Sequence, residues 1–266
     1  MIHHLITKPM LIVSSSLALL AWLTLPARAE SDLHQGKYQK NLTYTGPKTG
    51  DEIIYTLYLP PGYDQRKGSY PLIFFLHGAG GGNASAQVLQ SYESARKAGA
   101  IGDFIVVFPE KYGGTVWRDG AKGKRPETNV LRELLPHLER KYALSSNRGH
   151  RTIMGFSMGA AGSIYWGARH LDLFSIAVAL DAGGGTSFTD STARNYVPEY
   201  GKRTQEIRKS LNLRLVQGGL NTRGFRESLD KLGIPYEYEG LPKEAGDYPD
   251  GSCLLYTSPS PRDRSI

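Results

Sequence analysis

One serine in the chain is flanked by glycines two residues away on each side, in Gly155-Phe156-Ser157-Met158-Gly159. An apolar run (Thr152-Ile-Met154) leads into it, and small residues with helical spacing (Gly159, Ala160, Ala161) lead out of it. A serine hydroxyl becomes a useful nucleophile only when it is held exposed, close to a base and to donors for a developing anion. The G-x-S-x-G spacing between a strand and a helix supplies that exposure, because the turn is too tight for bulk on either flank. The helix opening at Met158 directs the positive end of its dipole at the hydroxyl. The chemistry this permits is covalent attack on an acyl carbonyl.

A second glycine-rich segment supplies the anion stabiliser. The apolar run Pro71–Leu76 ends in His77-Gly78-Ala79-Gly80-Gly81-Gly82. Glycines there let the backbone approach a substrate carbonyl, and the amides of Ala79 and Met158 are the expected pair of oxyanion donors. A phosphate-cradling loop would need a G-K-[ST] ending, which this segment lacks.

The elements that must position these residues follow from hydrophobic patterning. Ile53–Leu59 alternates and stops at Pro60-Pro61-Gly62, whereas Pro71–Leu76, Phe104–Phe108 and Arg151–Gly155 are near-continuous apolar runs, as strands buried on both faces require. Phe174–Leu180, Leu213–Val216 and Pro235–Glu239 complete the predicted strands, with helices expected at about 84–98, 128–142, 158–170, 202–210 and 223–232. Pro136 is expected to bend or interrupt the second of these helices. Strand–helix alternation predicts one α/β domain, a mostly parallel sheet with helices on both faces.

Here the chain resembles a known family. Leu76-His-Gly-Ala-Gly80, Trp117-Arg-Asp119, Glu127-Thr128, Glu133-Leu-Leu-Pro-His137, Arg151–Gly159 and Asp172-Leu-Phe174 are similar to the esterase D-like group of α/β hydrolases. That group includes S-formylglutathione hydrolases, feruloyl and acetyl-xylan esterases and mycolyltransferases. The resemblance runs through most of Ile53–Gly240. It implies an α/β-hydrolase fold with Ser157 as nucleophile and the Ala79 and Met158 amides as oxyanion hole. His77, Gly78 and Trp117 are expected to border the substrate, with His77 holding the oxyanion loop and Trp117 either lining the acyl or leaving-group pocket or packing in the core. The family's acid follows the strand Leu213–Val216, which puts Asn221 where an Asp belongs; Asp181, at the end of the preceding strand, is either a second carboxylate for the site or a cap for Gly183–Gly185 or the turn there. The family's base follows Tyr236–Glu239, but the seven histidines are residues 3, 4, 34, 77, 137, 150 and 170. Only His170 follows Ser157, at the far end of the helix that the serine opens, so the catalytic histidine is absent from this sequence.

The 266 residues suffice for one large domain, and composition is ordinary: 40% hydrophobic, 21% charged, net charge +7. The basic residues are scattered among acidic ones, which excludes a nucleic-acid footprint, and no His/Cys/Asp cluster has metal-ligand spacing. No cofactor is expected. Lys8, the apolar stretch Leu17–Leu25 and Ala27-Arg-Ala29 have the layout of a secretory signal over residues 1–29, predicting export without stable membrane insertion. The segment Cys253–Asp263 reads as the translation of a transposase sequencing adapter, so residues 253–266 are expected to be foreign, the hydrolase domain of 30–252 to be cut short, and its base to be lost with the missing part. The expected substrates are acetyl or feruloyl esters on polysaccharides or related small esters. An acyltransferase, a serine peptidase or an inactive binding protein on the same fold are the alternatives.

Overall fold

The computed structural model describes residues 36–66, 68–80, 85–182 and 195–240. The signal-like segment, Gly81-Gly82, Gly183–Gly185 and the adapter-like tail lie outside them.

Eight strands form one sheet in the order β1-β2-β4-β3-β5-β6-β7-β8. They are β1 (Lys37–Thr45), β2 (Glu52–Leu59), β3 (Leu72–Leu76), β4 (Ile105–Pro109), β5 (Arg151–Phe156), β6 (Ile176–Leu180), β7 (Asn212–Gln217) and β8 (Glu237–Gly240). Strands β1 and β2 are antiparallel to their neighbours, and every other pairing is parallel. The six parallel strands therefore end along a single edge of the sheet, and the residues after β3, β5, β6 and β7 meet there. This is the mostly parallel sheet of an α/β hydrolase, as the sequence predicts.

The helices are α1 (Ser85–Lys97), α2 (Pro126–Thr128), α3 (Leu135–Lys141), α4 (Met158–Arg169), α5 (Val197–Lys202), α6 (Thr204–Ser210) and α7 (Arg223–Leu232). Alternate residues of each central strand feed two cores. Phe74, Leu76 and Ile153 face the larger one with Trp117, Ile164 and Trp166. Ile73, Phe75, Met154 and Val178 face the other, under Val88, Leu89 and Tyr92 of α1. Burial on both faces is why these strands read as unbroken apolar runs.

Three local expectations are corrected. β1 was not anticipated: its burial alternates only between exposed and half-buried, it carries Lys37 and Lys40, and its register slips around Asn41, whose φ of 53° marks a bulge. Charged residues and bulges are how edge strands avoid pairing with other chains, and both weaken the hydrophobic pattern. Pro136 does not break its helix. A π-helical stretch, Asn129–Leu134, joins α2 to α3 and ends just before the proline, so the chain stays helical from Pro126 to Lys141. The helix expected at 202–210 is two short ones, α5 beginning at Val197 and α6 following it past Arg203.

Candidate active site

Ser157 sits between β5 and α4 with φ 53° and ψ −113°, a conformation that a residue with a side chain adopts at a cost of about 1–3 kcal/mol. Its N–H donates to the Leu180 carbonyl of β6 (2.9 Å), and its own carbonyl accepts from Ala161 (3.2 Å). The neighbouring glycines explain how the turn closes. A Cβ at Gly155 would stand 2.2 Å from the Gly159 carbonyl oxygen, and one at Gly159 would stand 1.9 Å from that of Leu76. Strand, turn and helix are thus packed backbone against backbone, and no side chain fits at either position. Ser157 is half-buried, and its Oγ neither caps α4 nor hydrogen-bonds to any described residue.

The oxyanion loop is adjacent. A Cβ at Gly78 would lie 3.6 Å from the Ser157 Cβ, so the backbone after β3 runs beside that serine. The amide of Met158 opens α4 and is one of the orphan donors of a helix start. Neither it nor the exposed amide of Ala79 donates to a described backbone group. Two N–H groups without a partner among the described residues, near the serine, are what an oxyanion of a tetrahedral intermediate needs.

His77 holds that loop in place and does not act as a base. It is 6% exposed. Its Nε2 accepts from the Tyr112 amide (3.3 Å), which leaves the proton on Nδ1, where it donates to the Gly78 carbonyl (2.7 Å). Burial pushes its pKa down, so the ring stays neutral. With both nitrogens committed, His77 positions the loop.

Trp117 proves to be core. The ring is fully buried, with Nε1 donating to the His77 carbonyl (3.1 Å) and its edge set against Trp166 (5.6 Å, 87°). Its φ is 57°, and Gly162 of α4 makes room for it, since a Cβ there would lie 2.7 Å from the Trp117 Cβ. It therefore supports the loop after β3 from below, as part of the larger core. Sequence reasoning missed Tyr112 and Gly162 as parts of this support. Tyr112 contributes a backbone amide, which leaves no mark in the sequence, whereas Gly162 lies one helical turn past Ser157 and continues its run of small residues.

The two candidate acids part company. Asp181 ends β6, is 5% exposed, and accepts at Oδ1 from the amides of Gly218 (3.0 Å) and Leu220 (2.7 Å). Asn221 is exposed, and its Oδ1 accepts from the Arg223 amide (2.8 Å) at the start of α7. The other described histidines are engaged elsewhere. His170 bonds Glu127 (2.6 Å) at the far end of α4, about 20 Å from Ser157 at 1.5 Å per residue. His150 bonds Ser145 (2.9 Å), and His137 stacks on Tyr44 (4.0 Å). Half-buried Glu127 keeps its pKa below the usual range despite desolvation, because His170 and Arg169 bond to it.

Two cavities lie away from this edge. One, of about 570 Å³, opens among Ser175, Asn212, Arg214 and Tyr236, where β6 to β8 begin. The other, of about 410 Å³, lies beside the C-terminal end of α4 among Glu127, Tyr165 and Arg169. Neither includes Ser157. Among the described residues no group of three or more His, Cys, Asp or Glu is gathered as metal ligands.

Comparison with known proteins agrees with this architecture. A ferulic acid esterase structure superposes with a TM-score of 0.70 at 22% identity, covering 84% of this chain and 96% of that one. The substrate-bound fluorophosphonate-binding serine hydrolase F of Staphylococcus aureus gives 0.67 at 20% identity, covering 83% and 96%. A ferulic acid esterase from Anaeromyces mucronatus in complex with ferulic acid gives 0.65 at 21% identity, covering 84% and 90%. The model of the family described as "Putative esterase" matches residues 46–184, more than half of the chain and the stretch that holds the oxyanion loop, the serine turn and Asp181. The chain belongs to that esterase family, within the α/β hydrolases.

Proposed function

We propose that the chain is a secreted serine esterase that works through an acyl-enzyme on Ser157 and takes acetyl or feruloyl esters of polysaccharides or related small esters. The observation that carries this is the strained Ser157 turn set against the Gly78–Ala79 backbone, with two amides and a hydroxyl that have no partner among the described residues. In the acylation step Ser157 Oγ bonds to the ester carbonyl carbon while its proton passes to a base. The carbonyl oxygen becomes an oxyanion held by the Ala79 and Met158 amides. The intermediate collapses with loss of the alcohol, which takes up the proton, and water then releases the acid by the same route. Feruloyl esters are favoured by the names of the similar structures, and the signal-like N-terminus favours extracellular esters.

No described side chain is placed to accept the serine proton, and no histidine follows His170. Oxyanion hole and binding alone sustain acceleration on the order of 10³–10⁴ over water. Hydrolysis of methyl ferulate and an aryl acetate by the purified chain should fall in that range. Turnover at ordinary esterase rates would show that the chain supplies its own base, and no acceleration would favour the second reading. That second reading, an inactive ester-binding protein, draws on the same uncommitted hydroxyl.

A further inference from the structure

We propose that Asp181, and not Asn221, is the carboxylate that orients the imidazole serving Ser157; this rests on the Ser157 reading above. Phe156 pairs with Leu180 across β5 and β6, and the Ser157 amide bonds the Leu180 carbonyl. The next residue, Asp181, therefore stands beside Ser157 on the neighbouring strand, about 4.8 Å away at ordinary strand spacing. Its backbone is held in the left-handed region (φ 58°) by its own amide bonding Val216 of β7 (2.7 Å). Two amides of the turn after β7 fix Oδ1, and Oδ2 accepts no hydrogen bond among the described residues. Gly219 runs beside Oδ2, where an added Cβ would come into ordinary contact with it at 3.9 Å.

Oδ2 is not sealed from solvent, so it is open to a donor at this edge of the sheet. An imidazole Nδ1–H supplies one and leaves Nε2 facing the Ser157 hydroxyl. As the Oγ–carbon bond forms, the serine proton moves to Nε2. Asp181 stabilises the imidazolium, and the proton then passes to the departing alcohol oxygen. Asn221 fits this role poorly on two counts. Its Oδ1 is taken by the Arg223 amide, and a neutral amide does not stabilise an imidazolium as a carboxylate does. Asp181 is thus a positioning residue, acting on Ser157 through the ring.

Free imidazole offers a test with the chain as it stands. The rate of phosphonylation of Ser157 by a fluorophosphonate, followed by intact mass, is measured against imidazole concentration in wild type, Asp181→Asn and Asn221→Ala. Asparagine at 181 keeps an oxygen for the Gly218 and Leu220 amides, so the fold should hold, and a thermal melt checks this. The proposal predicts a saturable imidazole acceleration in wild type and in Asn221→Ala, reduced about tenfold or more in Asp181→Asn. Equal acceleration in wild type and Asp181→Asn, loss in Asn221→Ala instead, or no saturable acceleration in wild type would each overturn Asp181 while leaving Ser157 as nucleophile. Absence of any adduct on Ser157 would overturn both.

Discussion

Replacing Gly159 by alanine tests whether the serine turn depends on backbone-to-backbone packing. The added Cβ would stand 1.9 Å from the Leu76 oxygen, 2.5 Å from the Leu76 carbonyl carbon and 2.8 Å from the His77 oxygen. All three are main-chain atoms of β3 and the oxyanion loop, so no side-chain rotation relieves the contact. Overpacking of this kind costs about 1–3 kcal/mol, and fixed backbone on the far side puts it near 3. Alanine recovers about 1 kcal/mol as the better helix former, which leaves a loss of about 2 kcal/mol. For a domain of this size each kcal/mol moves Tm by about 2–4 °C, so the melt should drop by about 4–8 °C. The same displacement moves Gly78 and Ala79 away from Ser157, so fluorophosphonate labelling should slow as well. Gly102→Ala, where a Cβ meets nothing within 4 Å, is the control and should melt like wild type. The reasoning is refuted if Gly159→Ala melts and labels like that control.

Other substitutions probe the same support. Ser157→Gly removes a strained φ worth about 1–3 kcal/mol and adds a flexibility cost of about 0.5–1, so Tm should rise by a few degrees while covalent labelling disappears. A Tm at or below wild type would show that the turn stores no strain. Trp117→Ala should destabilise by about 3–5 kcal/mol in urea titrations, and Trp117→Phe by about 1–3 through the stranded His77 carbonyl. A surface-like effect of either below 0.5 kcal/mol would contradict the burial of the ring. Because burial depresses the His77 pKa, the unfolded chain binds this proton more readily than the folded one. Its contribution is therefore complete above the unfolded value near 6.5 and is lost as pH falls through the lower folded value. Urea midpoints of wild type should fall over that acidic window more steeply than those of His77→Gln, and parallel profiles would refute the assignment.

The features read correctly from sequence are those fixed by short-range geometry. Gly155, Ser157 and Gly159 are adjacent in the chain, and the contacts that demand them lie within a turn or on the next strand, so the motif carries its own structural context. The parallel strands were legible because burial on both faces leaves continuous apolar runs. What escaped depends on partners distant in sequence. Trp117 looked equally suited to a pocket and a core until Gly162 and Trp166 were seen around it. The left-handed backbones of Asn41, Trp117 and Asp181 belong to residue types that do not announce them, unlike glycine. Asp181 and Asn221 were both compatible with an acid's place in the chain. Their difference lies in hydrogen bonds to residues 37 and 39 positions away for Asp181 and two positions away for Asn221, and only the first set is built at the sheet edge beside Ser157.

The central claim is that Ser157 is the nucleophile of an esterase site. Its most direct test is to treat the chain with a fluorophosphonate in the presence of imidazole, digest it, and locate the adduct by tandem mass spectrometry. The account predicts a single phosphonylated peptide bearing the group on Ser157, and none from Ser157→Ala. An adduct on a different serine, or equal labelling of the two proteins, would contradict it.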